Sequence, residues 1–221
     1  MKYGTAQGIL KPLDEVTLPD PRFEGKILRS EDSEQPITLA DFHERLNICP
    51  LSSNVPEKVR IQFETAKNLM LYAWFVFEFQ TIAELQAYAA LELGLRARLG
   101  NPTRTITSKK GQKIVPLMLA ELLSKAVSEK LIVPENLPSW EWAKVRREWF
   151  SKEYGTPIQP FSASEWMQDI QKHLPDSRNH LAHGNQHLWL NNSFSQIELC
   201  GDLIAALFSG SEKTVSKPAR Q

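Results

Sequence analysis

The chain has 221 residues, 42% of them hydrophobic and 24% charged, with 26 basic side chains against 26 acidic ones. That is ordinary globular composition, in a length that suits one domain with a sizeable core plus appendages. A net charge of zero offers a polyanion no bulk attraction, and two cysteines, Cys49 and Cys200, too far apart for a metal-ligand spacing, argue against a disulfide scaffold.

The charge is unevenly spread: residues 1–92 carry 9 basic and 14 acidic residues, residues 93–221 carry 17 and 12. A polyanion should therefore meet the second part of the chain. The start, Met1-Lys2-Tyr3-Gly4, lacks the apolar run of a signal peptide. The most apolar stretch, 69–79, contains Glu78 and is too short to span a bilayer. The expectation is a cytoplasmic protein with no membrane partner.

Residues 1–54 are rich in Pro, Asp, Glu and Ser, and Pro12, Pro19, Pro21, Pro36 and Pro50 break any long helix. They read as an irregular extension draped on the domain, with short strands at 9–10 and 26–29 and a short helix at 38–46. From Pro56 the texture changes. Asn54 suits an N-cap, and Val59, Phe63, Ala66, Met70, Ala73 and Phe77 recur at helical spacing. Leu69, Trp74, Phe75 and Val76 widen that face until the helix is apolar nearly all round, as a core helix is. A second helix over 81–99 follows with no proline or glycine between, so the two read as a pair or as one kinked rod. Within it Glu92 sits in an apolar run and either pairs with Arg96 at i+4 or turns inward.

Residues 100–113 read as a loop with turn chemistry at both ends. Between 93 and 120 there is no acidic residue, while Arg104, Lys109, Lys110 and Lys113 offer a phosphate-contacting patch. A helix is expected over about 112–131. Another is expected over 140–152, capped by Ser139, with Trp142, Val145 and Trp149 on one side and Arg146 and Arg147 on the other. Three tryptophans in ten residues suit core or interface packing first and base stacking second. Ser162 or Ser164 caps a helix through Trp166, Ile170 and Leu174, which Pro175 is expected to interrupt. The last helix begins at 191–193, with Ser195 and Glu198 in capping-box spacing, and 209–221 reads as a disordered tail. The fold class is all-α, with 1–54 as extension and 55–208 as the helical domain.

The densest chemistry lies at 177–184, Ser-Arg-Asn-His-Leu-Ala-His-Gly, in a chain with only five histidines. Asp176 or Ser177 suits an N-cap, and Gly184 suits a left-handed stop. His180, His183 and His187 do not make a metal site on a helix that ends at Gly184, and no metal or other cofactor is implied. Arginine and histidine do suit cleavage beside a ribose 2′-OH. An imidazole titrates near neutrality and can take or give a proton. A guanidinium can hold two phosphate oxygens at once. On an ideal helix Arg178 and His183 stand about 140° apart, whereas Asn179 and His183 are neighbours. One protomer alone therefore gathers the set poorly, and a two-fold dimer would bring two sets together.

Arg178, Asn179 and His183, in the form RNHLAHG, resemble the R-x4-6-H signature of the HEPN superfamily. The resemblance covers roughly residues 56–208 in helix order. It implies a HEPN-like helical bundle with a long apolar helix or helix pair at about 56–99. It also implies a homodimer with the motif at its interface, and metal-independent endoribonuclease activity of toxin or defence type, with RNA as substrate and a cognate antitoxin or other protein as partner. Arg178, His183 and Asn179 would be the catalytic residues, and Glu92, with His180, would support them. The alternative is a non-catalytic HEPN-like module that binds a nucleotide or a protein.

Overall fold

The computed structural model describes residues 10–29, 34–108, 111–155, 157, 161–184 and 190–209. The expectations for Ile9, Lys109, Lys110, His187 and residues 210–221 fall outside them. The protein is mostly helical, with seven α-helices among the described residues: α1 (Leu39–Asn47), α2 (Glu57–Tyr72), α3 (Phe79–Leu99), α4 (Leu119–Ser128), α5 (Pro138–Tyr154), α6 (Ala163–Ala182) and α7 (Leu190–Phe208). Two short antiparallel hairpins accompany them, β1 (Ile27–Arg29) with β2 (Glu34–Pro36), and β3 (Thr103–Ser108) with β4 (Gly111–Pro116). Among the described residues no helix is long and apolar enough to cross a membrane.

The apolar stretch at 56–99 is a helical hairpin, not one rod. The chain turns at 73–78, and Gln86 Nε2 of α3 reaches back to the Gln62 carbonyl of α2 at 3.5 Å. The buried faces meet through Val59, Phe63, Ala66 and Met70 on α2 and Ala83, Ala87, Leu91 and Leu95 on α3. α7 lies parallel to α3: Glu84 meets Ser193, Tyr88 meets Gln196, Gly94 packs on Ile204 and Leu207, and Arg98 Nε donates to the Leu207 carbonyl.

The N-terminal segment is built into the core rather than draped over it. Asp20 takes the Trp74 carbonyl through its N–H at 2.8 Å, and Arg22 bridges Asp20 and Glu78. Phe23 stacks on Trp74 with ring centres 5.0 Å apart and meets Phe42 edge-on. Thr38 caps α1 in a capping box with Asp41, and Arg45 of α1 pairs with Glu198 of α7 at 2.6 Å. Glu198 is thus spent on a distant arginine, not on a helix start.

The structure departs from the expected all-α class at 103–116. The expected loop and the first part of the expected helix over 112–131 form the β3–β4 hairpin, and the helix begins only at Leu119. Alternating β-branched residues account for this: Thr103, Thr105 and Thr107 share a face with Ile114 across the register. Gly111, at φ 114°, supplies a conformation closed to other residues. α2 begins at Glu57 with Pro56, not Asn54, in the cap position, and Ser139 lies inside the first turn of α5, where its N–H and hydroxyl both go to Asp202. Ser195 lies within α7, its hydroxyl accepting from Arg146.

Candidate functional site

The motif sits at the end of α6, which Ser162 opens with a capping box to Glu165 and which runs unbroken to Ala182. Pro175 does not interrupt it, so Asp176 and Ser177 are interior residues rather than caps. A proline inside a helix forfeits one backbone hydrogen bond and costs about 3 kcal/mol. Burial of Met167, Ile170 and Leu174 against the core offsets that cost. The helix stops as expected: the His183 N–H bonds back to Asn179, and Gly184 takes φ 77°.

The motif turn approaches α3 through Arg178, whose Nη2 stands 3.9 Å from Glu92 Oε2. The buried Tyr88 phenol of α3 donates to Gln196 at 3.2 Å. The other oxygen of Glu92 accepts from Arg96 at 2.6 Å, so Glu92 pairs first with its i+4 neighbour, and the inward reading is met only as a longer, second approach to Arg178. Arg96 in turn donates to the Leu117 carbonyl, where β4 runs into α4, at 2.8 Å. A chain of charge thus runs from the foot of the basic hairpin through Arg96 and Glu92 to Arg178.

Arg178 also donates to Asn179 Oδ1 at 3.3 Å, so two of the three motif residues touch within one chain. Asn179, His180 and His183 are exposed, and among the described residues the His183 imidazole has no hydrogen bond or ion pair. Of the basic patch, Arg104 pairs with Glu121 at 2.9 Å and Lys113 is exposed on β4. An open depression of about 400 Å³ lies on α2, lined by Glu57, Arg60, Ile61, Glu64, Thr65 and Asn68, and includes no motif residue. Among the described residues no three His, Cys, Asp or Glu side chains gather as metal ligands would.

Sequence reasoning missed Glu84. It is buried on α3 and accepts from the Ser193 hydroxyl, and burial pushes its carboxyl above the usual range while that hydrogen bond partly opposes the shift. A signal was present. Gln80, Glu84, Tyr88, Glu92 and Arg96 recur every four residues. At 100° per residue such a row turns about 40° per step, so it winds around the helix. It starts in the core at Gln80, whose amide is buried without a partner among the described residues, and surfaces at Arg96. The motif docks on its outer half.

Comparison of the chain with family models, with curated proteins and with solved structures gave no match.

Proposed function

We propose that this chain is a HEPN-like domain acting as a metal-independent endoribonuclease, in the form of a homodimer and in a toxin or defence setting. The observation that carries the reading is the contrast within one turn of α6. Arg178 is steadied from behind by Glu92, while His183 at the helix end stands open with its imidazole uncommitted among the described residues. In the proposed reaction His183 takes the proton of the ribose 2′-OH, and the oxygen attacks phosphorus. The 5′-oxygen leaves with a proton returned by the His183 of the second copy. Arg178 holds the extra negative charge of the crowded phosphorus, and Asn179 orients the pair. Arg104, Lys109, Lys110 and Lys113 would contact phosphates outside the cut.

One observation favours the alternative, a non-catalytic module binding a nucleotide or a protein. Within a single protomer the Arg178 charge is already met by Glu92 and Asn179, and the depression on α2 lies apart from the motif. Incubation of the purified protein with single-stranded RNA and a chelator separates the two. The expected result is cutting with 2′,3′-cyclic phosphate ends. His183→Ala and Arg178→Ala should each lower the rate on the order of a hundredfold or more, with circular dichroism unchanged. RNA left intact under all conditions selects the binding module, and cutting that survives His183→Ala removes that histidine from the chemistry.

A further inference from the structure

Glu92 faces two arginines at unequal range. Arg96 Nη2 stands 2.6 Å from Glu92 Oε1, and Arg96 Nε stands 3.2 Å from the same oxygen, so both donors load one side of the carboxylate. Glu92 Oε2 looks towards Arg178 Nη2 at 3.9 Å, beyond hydrogen-bond length. Among the described residues no other carboxylate comes within 4 Å of Arg178. The Arg178 guanidinium is therefore attracted by Glu92 but not captured.

The far side of Arg96 keeps that gap open. Arg96 Nη2 also donates to the Leu117 carbonyl at 2.8 Å, and the Leu117 N–H bonds the Pro102 carbonyl at 3.0 Å, where the β3–β4 hairpin closes at its foot. A backbone carbonyl in such a place cannot follow a side chain, so Arg96 is anchored and holds Glu92 with it. The Arg96 and Glu92 side chains are each 22% exposed, whereas that of Arg178 is 38% exposed. The inner pair is the less screened by water and salt. A Glu92 released by Arg96 would behave differently. It would offer both oxygens, and an arginine takes both in a fork where it can.

We propose that Arg96 is a positioning residue, which holds Glu92 by one oxygen and so keeps the Arg178 guanidinium open to a phosphate. That role rests on the ribonuclease reading in one respect, that a phosphate is the anion Arg178 meets. Two guanidinium charges against one carboxylate leave the trio positive. Without Arg96 the remaining pair is neutral, and its one guanidinium is occupied. Arg96 acts here through Glu92 alone.

Reaction of Arg178 with phenylglyoxal, followed by mass spectrometry of the peptide that carries it, reads the gap without RNA. The reagent attacks a deprotonated guanidinium, and a carboxylate at bonding distance both opposes the deprotonation and covers the nitrogens. Arg96→Met keeps the aliphatic stem and removes the charge, and should slow the modification of Arg178 about threefold, the reach of a part-exposed ion pair. Glu92→Gln added to Arg96→Met should restore the wild-type rate. Glu92→Gln alone should change it by less than about twofold, because the intact protein already holds Glu92 off. Arg96→Lys keeps a cation beside Glu92 and should stay near wild type.

Arg178 modified at the wild-type rate or faster in Arg96→Met would overturn the proposal. Slowing that Glu92→Gln does not relieve would do the same, because it marks damage to the fold rather than capture by Glu92. Should circular dichroism show that Arg96→Met does not fold, Glu92→Gln alone decides: a rise of about threefold means that Glu92 already holds Arg178, and the proposal fails. Where the protein cuts RNA, cutting should fall and recover in the same order across the variants. Reactivities that keep this order in a chain that cuts no RNA uphold the role of Arg96 and remove the ribonuclease reading alone. Cutting in a chain whose reactivities break the order removes the role of Arg96 alone.

Discussion

Glu84 and Glu92 stand two turns apart on α3, yet their surroundings give them opposite roles. Glu92 lies between two arginines, whereas Glu84 has a serine hydroxyl and, among the described residues, no cation. Burial raises the Glu84 carboxyl above its ordinary value, so the folded chain binds that proton more tightly than the unfolded chain does. The stability it contributes is complete below the ordinary carboxylate range and is lost as pH climbs through the raised folded value. Glu84→Gln keeps the shape and removes the charge. The variant should therefore outlast wild type in urea at mildly alkaline pH and lose that advantage near pH 4, as unfolding midpoints at the two pH values would show. Glu78 behaves in the reverse sense: the hydrogen bond from Arg22 holds its carboxyl low, so that pair fails on the acid side. Asp20 joins it there, because its bonds to Arg22 outweigh the upward push of burial.

At the scale of elements, two helical glycines make a controlled comparison. Gly201 on α7 faces Phe63, and a Cβ there would come within 2.8 Å of the ring, which is fully buried and cannot swing away. Gly201→Ala should cost about 1–3 kcal/mol. At Gly94 the nearest atom to a new Cβ is at 3.5 Å, an ordinary contact, so Gly94→Ala should gain roughly 0.5–1 kcal/mol from helix propensity alone. Thermal melts would report the first as a fall of several degrees and the second as a small rise. Helices and their stops were legible where their signals are local: the Ser162 cap, the Gly184 stop and the apolar rows of α2 and α3 lie within a few residues of what they specify, whereas the capping-box spacing of Ser195 and Glu198 falls inside α7. The β3–β4 hairpin was not, because a run of threonines beside lysines reads as loop until its partner strand is known. Nor was the unbroken α6, since Pro175 is tolerated only through core contacts made by Met167, Ile170 and Leu174. The same limit applied to the site. Spacing offered Arg96 as the i+4 partner of Glu92, and that is the closer pair at 2.6 Å; the approach of Arg178 to 3.9 Å joins residues far apart in sequence, which no local spacing encodes.

At the scale of the whole molecule, residues 20–47 and α7 close the core from opposite ends of the chain. Phe23 and Phe42 cover Trp74, Phe42 meets Phe194, and Arg45 lies over the Phe194 ring. Deletion of residues 1–47 should therefore expose Trp74, Phe77 and Phe194 together. The truncated chain is expected to lose its cooperative unfolding transition and bind a hydrophobic dye.

The parallel pairing of α3 with α7 has a bearing on how the chain is made. Glu84 waits for Ser193, Tyr88 for Gln196, and Arg98 for the Leu207 carbonyl, each more than 100 residues later. On the ribosome the α2–α3 hairpin therefore emerges with one apolar face bare and keeps it bare until synthesis has passed residue 208. Throughout that interval the face is a natural target for chaperones, and the motif turn docks on an α3 that α7 has not yet buttressed. Any activity that depends on the finished arrangement of Arg178 and His183 would then be withheld from the nascent chain until α7 has emerged and packed.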